Sequence, residues 1–294
     1  MSVTSNDPKH VDAATGTSTT GHEWDGIREL NTPLPKWWLY IFYATIVWAL
    51  GYWVVYPAIP LVSSFTKGAI NYSSRGEVIA DVDALKAARA PMVNALAKAS
   101  FDDIQKDPKL LTFARAQGKA AFGDNCAPCH GTGGGGSKAF PNLVDDDWLW
   151  GKGTLDDIQA TITHGIRSTD PDTRQGNMPA FGDGVLKATE ISWVADYVRS
   201  LSNLSVDAGA DLKAGQKVFA ENCAACHGDN AKGNQELGAP NLTDQIWLYG
   251  SDKVTIVEGI AKGRGALMPN WGDRLDAGTI KALAVYVRTL GGGR

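Results

Sequence analysis

The sequence predicts a mainly α protein, with one N-terminal transmembrane helix followed by two tandem all-α domains. Three observations carry this expectation. From Trp37 to Thr66 no residue is charged. The pattern Cys-x-x-Cys-His occurs at Cys126–His130 and again at Cys223–His227. The residues around the second pattern repeat those around the first.

The N-terminal tail, residues 1–36, is polar, and Met1 to about Thr20 has the composition of a disordered segment. Trp37 to Tyr56 then gives a helix of about 30 Å, the thickness of a bilayer hydrocarbon core. Trp37, Trp38 and Tyr40 crowd one end and Tyr52, Trp53 and Tyr56 the other, as rings at two membrane–water interfaces do. Pro57 and Pro60 stop the helix, so the membrane segment is placed at residues 37–60. The run starts late and no small-x-small site follows it, which predicts an uncleaved span, not a removed signal. Arg28 and Lys36 before it and Lys67 and Arg75 after it leave its orientation open. Residues 61–108 read as a connector along the membrane surface or against other subunits. Within it Asp81–Lys98 has helical spacing, interrupted at Pro91.

The repeat sets the remaining boundaries, one domain at 109–203 and one at 204–294. A helical stretch enters each motif, Leu110–His130 and Asp211–His227. Pro141-Asn142-Leu143 matches Pro240-Asn241-Leu242, Trp148 matches Trp247, and Met178-Pro179 matches Met268-Pro269. A closing helix follows in each, Glu190–Leu201 and Thr279–Leu290. The first repeat carries extra residues at Ser168–Asn177, a polar, turn-rich loop.

The motif defines the chemistry. Two thiols one helical turn apart form thioethers with the haem vinyl groups, and the adjacent imidazole falls beneath the iron. Cys126, Cys129, Cys223 and Cys226 are therefore expected to attach two haems c covalently, with His130 and His227 as proximal ligands. Zinc is the rival, but zinc-binding Cys pairs lie much closer in sequence than these. Of the four methionines, Met178 and Met268 occupy equivalent positions in Gly- and Pro-rich loops, poor territory for core filler. They are the expected axial ligands, each assigned to the haem of its own repeat. His164 competes for the first haem, but its counterpart is Lys262, which favours a structural role. Arg167 and Arg264 are either propionate partners or solvated. Asp145–Asp147 reads as a solvated acidic face, and Gly133–Gly136 as a loop that lets backbone approach the haem edge.

With both sixth positions filled, independent catalysis is not expected, since peroxidase or gas-sensing chemistry needs an open iron. A net charge of −4 with no basic stripe excludes nucleic acid as a partner. Attachment of haem at such motifs takes place outside the bacterial cytoplasm. The haem domains are therefore expected on the periplasmic face of the inner membrane, with the N-terminus cytoplasmic. These residues alone reach a membrane-anchored dihaem electron carrier, of an oxidase or of a dehydrogenase or other reductase.

The stretch before the span narrows the choice. His22-Glu23-Trp24-Asp25-Gly26-Ile27, Glu29, Asn31, Pro33-Leu34-Pro35, Trp37-Trp38 and Tyr56-Pro57 resemble subunit III of cbb3-type cytochrome c oxidases. Asn142-Leu143 and His164-Gly165-Ile166-Arg167 resemble its first haem domain. The resemblance implies electron transfer from a soluble cytochrome c or the bc1 complex to the monohaem and catalytic subunits of the oxidase, with membrane lipid around the span.

Overall fold

A computed structural model describes residues 11–292. The expectation of disorder for Met1–His10 lies outside the described residues. The described chain is mainly helical and divides between Leu85 and Lys86 into two compact units.

The first unit opens on a two-stranded hairpin absent from the sequence-based expectation. Strands β1 (Thr19–Trp24) and β2 (Ile27–Leu30) are antiparallel, with Trp24 opposite Ile27 and Glu23 opposite Arg28. Asp25 and Gly26 form the turn, both at positive φ (52° and 81°), the backbone of the tight turn that Asp-Gly favours. Glu23 and Arg28 add an ion pair at 2.6 Å. Val11 bridges Ser18, so the disorder predicted up to Thr20 does not hold for residues 11–20.

Helix α1 (Lys36–Val55) follows, with no buried side chain, long and apolar enough to cross a membrane. It ends at Tyr56, which is extended (ψ 161°), because the ring of Pro57 disfavours a helical residue before it. Helix α2 (Ser74–Lys98) runs unbroken through Pro91, against the expected interruption. Proline removes one N–H, and packing beyond it holds the helix: Leu96 is fully buried with Ile104, Leu110, Ala114, Ala282 and Val285, and Met92 borders them. Lys281 closes its C-terminus by donating to the carbonyls of Ala97 (3.1 Å) and Ala99 (2.5 Å). From Lys86 on, the connector belongs to the second compact unit.

Each repeat then supplies equivalent helices. Helices α3 (Phe101–Lys106), α4 (Pro108–Asn125), α5 (Ala127–His130), α6 (Leu155–His164) and α7 (Ala188–Leu201) come from the first. Helices α8 (Leu212–Asn222), α9 (Ala224–His227), α10 (Lys253–Lys262) and α11 (Ala277–Arg288) come from the second. Side-chain caps fix the starts: Asp107 for α4, Thr154 for α6, Asp211 for α8, Asp252 for α10 and Asp276 for α11.

The two lobes do not follow the repeats. Helix α11 packs on α4 and α6, and α7 packs on α8 and α10. The first lobe thus buries Phe122, Ile158 and Ile162 against Ile280, Leu283, Ala284 and Val287. The second buries Val218, Phe219, Ile256 and Ile260 against Ile191, Val194, Ala195 and Val198. Glycines allow both close approaches: a Cβ on Gly118 would stand 2.2 Å from the Ala282 carbonyl, and one on Gly215 would stand 2.3 Å from the Trp193 carbonyl. Tilted ring pairs repeat the exchange, Phe122 with Tyr286 and Tyr197 with Phe219. The segments 109–203 and 204–294 each hold one repeat, but each closing helix packs on the helices of the other repeat. The two repeats thus exchange their C-terminal portions.

Candidate haem sites

Each Cys-x-x-Cys-His motif sits on one short helical turn that follows a long helix after a single residue, Cys126 or Cys223. The turn places Cys126, Cys129 and His130 around one point, and Cys223, Cys226 and His227 around another. Cys126 and Cys223 line the lobe cores, whereas Cys129 and Cys226 are exposed, and no disulfide joins any of the four. Burial, reinforced by the neighbouring cysteine, pushes the thiols of Cys126 and Cys223 up to about 11. These thiols stay neutral, unlike the low-pKa thiols of a redox dithiol site.

The histidines are held alike. Nδ1 of His130 lies 2.9 Å from the Pro141 carbonyl, and Nδ1 of His227 lies 3.1 Å from the Pro240 carbonyl. A carbonyl can only accept, so Nδ1 carries the proton and Nε2 is left with its lone pair for a metal. Burial holds both imidazoles below their ordinary value, against the opposing effect of these carbonyls, which keeps them neutral.

Both methionines stand at a lobe core, but crossed. Met178 packs in the lobe of Cys223, and Met268 packs in the lobe of Cys126. This placement differs from the pairing within each repeat that the sequence assumes. The chain crosses between lobes at two short segments. There Met178 exchanges backbone hydrogen bonds with Arg264 (2.8 and 3.0 Å), and Met268 with Ile166 (2.9 and 3.0 Å). Gly165 and Gly263, at φ +71° and +73°, end α6 and α10 directly against the Met268 and Met178 carbonyls, 2.5 and 2.4 Å from where a Cβ would stand. Only glycine fits there.

Two further residues were matched in the repeat but given no role from sequence. The indole Nε1 atoms of Trp148 and Trp247 are buried without a hydrogen-bond partner, one in each lobe. A buried indole N–H without an acceptor is costly, and a haem carboxylate would satisfy it. Paired thiols, an imidazole with an open Nε2, a thioether in the same core and an orphaned donor together fit a haem c in each lobe. His164, at the end of α6 in the first lobe, is held through Nδ1 by Asp170 Oδ1 at 3.0 Å. Both arginines considered for propionates have partners within the protein. Arg264 stacks over Tyr249 at 4.4 Å, and Arg167 is spent on backbone carbonyls.

Asp147 departs from a plain solvated face. Burial, with Asp244 and Asp145 nearby, raises its carboxyl from 3.8 to about 6. Its folded-state value lies above its unfolded one, so the fold binds the proton more tightly and loses stability as pH rises through this window. Asp147→Asn should stabilise the chain at pH 7 by up to about 1 kcal/mol, discounted because the group is half-exposed. Denaturant unfolding at pH 7 and near pH 4 should show the gain vanish at the lower value; an equal gain at both would refute the assignment.

Two lobes of helices, each built around a Cys-x-x-Cys-His motif, and a preceding helix long and apolar enough to cross a membrane define a cytochrome c class. The family model described as the N-terminal domain of cytochrome oxidase-cbb3, FixP, matches residues 16–63, and that for cbb3-type cytochrome c oxidase subunit III matches 113–198 and 210–287. The chain is 61% identical over 289 residues to the cbb3-type cytochrome c oxidase subunit FixP of Bradyrhizobium sp. (strain ORS 278), covering 98% of this chain and 99% of that protein. It is 54% identical over 294 residues to the CcoP subunit of Azospirillum brasilense, covering 97% and 99%. The chain belongs to the FixP/CcoP family, subunit III of cbb3-type cytochrome c oxidases.

Proposed function

We propose that this chain carries two covalently bound haems c and passes electrons from a periplasmic donor, a soluble cytochrome c or the bc1 complex, to the monohaem and catalytic subunits of the oxidase. The observation that carries the reading is the same donor set in both lobes: paired thiols, a histidine with Nε2 open, and a methionine in the facing loop. Each haem, when bound, supplies an iron that alternates between two oxidation states. The chain's residues do the rest. Cys126, Cys129, Cys223 and Cys226 would tether the porphyrins, and His130 and His227 would ligate the irons. Met268 ligates at the Cys126 site and Met178 at the Cys223 site, the soft sulfur favouring the reduced state. Trp148 and Trp247 donate to carboxylates. Helix α1 spans the membrane with the N-terminal hairpin on the cytoplasmic side and the lobes in the periplasm, where haem is attached.

The purified oxidase complex tests this. A pyridine haemochrome assay should give two haem c per copy of this chain, resistant to acid–acetone extraction, alongside haem b. Both should be reduced by donor cytochrome c and reoxidised by oxygen, with the donor step weakened by salt. Extractable haem, or reoxidation that bypasses these haems, would overturn the reading.

A further inference from the structure

One guanidinium touches both methionine segments. Nε of Arg167 donates to the Ala266 carbonyl at 2.6 Å, and Nη1 donates to the Gly176 carbonyl. Ala266 stands two residues before Met268, and Gly176 two residues before Met178. The two acceptors thus belong to segments that run into different lobes. Arg167 itself holds φ at 53°, a left-handed backbone uncommon for a residue with a long side chain, which aims the guanidinium at the crossing. Its neighbour Ile166 is one of the two residues that pair with a methionine backbone. The matching position in the second repeat is Gly265, so the clamp has no counterpart and serves both sites alone.

We propose that Arg167 is a positioning residue for both axial methionines, fixing the reach of Met178 and Met268 toward their irons together. This rests on the reading of those methionines as ligands. A planar fork that spans two carbonyls suits the task; an ammonium reaches one point. Losing the clamp leaves each methionine its own backbone pair but frees the residues that lead into it, loosening the reach of the sulfur.

The test uses the purified complex with Arg167→Gln. The readouts are the sulfur-to-iron charge-transfer band of the oxidised haems and titration with imidazole, which competes with methionine. Imidazole should bind both haems about tenfold more tightly than in wild type, the scale of one charge-assisted hydrogen bond, with the band weakened at both. Wild-type affinity at both haems, or loosening at only one, overturns the proposal. If Arg167→Gln assembles with fewer than two haems, Arg167→Lys decides: tighter imidazole binding at one or both haems supports the clamp, and wild-type titration at both overturns it. Met178→Leu and Met268→Leu separate the underlying reading. If neither removes part of the band, the methionines are not ligands and that reading fails. If each does while the Arg167 variants stay unchanged, only the clamp fails.

Discussion

Met268→Leu is expected to lower the potential of the haem attached at Cys126–His130, although Met268 lies in the second repeat. Met178→Leu is expected to do the same to the haem at Cys223–His227. Each drop should be a substantial part of the roughly 0.8 V range that axial ligands command. The other haem should stay near its original potential. Leucine keeps the volume and removes the sulfur, so a packing loss is held to under about 1.5 kcal/mol and ligation dominates the result. A potentiometric titration read by NMR makes the assignment haem by haem, because the thioether protons identify which cysteines hold each porphyrin. A drop confined to the haem of the same repeat would restore sequential pairing and refute the crossing. The expectation follows from where the two side chains pack, Met268 with Phe122 and Cys126, Met178 with Phe219 and Cys223.

Much of this architecture was legible from residue order. The uncharged run, the two motifs, the repeat and the closing helices all reappear as elements with nearly the predicted bounds. The hairpin was legible too, since Trp24-Asp25-Gly26-Ile27 holds a favoured tight-turn pair between apolar residues, but the polar composition around it masked the signal. Helices α6 and α10 carried cap signals at Thr154 and Asp252 that were equally readable. The exchange of C-terminal portions was hidden for a different reason. Ile191, Val194, Ala195 and Val198 on α7 have the same spacing as Ile280, Leu283, Ala284 and Val287 on α11. Apolar periodicity says which face is buried and is silent on which equivalent groove receives it. Trp148 and Trp247 were visible as a matched pair, yet only their buried, partnerless nitrogens give that match a meaning.

One polar cluster distinguishes the two grooves. Lys253 follows the cap of α10 and donates to Asp196 of α7 at 2.6 Å and to Asp207 at 2.5 Å. Asp196 is 2% exposed. At the equivalent places in the first lobe stand Leu155, which follows the cap of α6, and Val285 of α11, both in one apolar cluster. The exchanged arrangement joins charge to charge and apolar to apolar. The sequential arrangement would set Asp196 against Leu155 and Lys253 against Val285, burying a carboxylate and an ammonium without partners. Such mismatches work against the wrong pairing as strongly as the match favours the right one. Lys253→Leu should therefore destabilise the second lobe by about 3–5 kcal/mol, because it leaves Asp196 buried and uncompensated. Lys253→Leu with Asp196→Val copies the apolar pair of the first lobe and should recover most of that loss. Denaturant unfolding of the full chain, with haem content checked, measures both. A single variant as mild as a surface substitution would refute the role of the pair. A double variant no better than the single one would mean the loss comes from elsewhere than the stranded carboxylate.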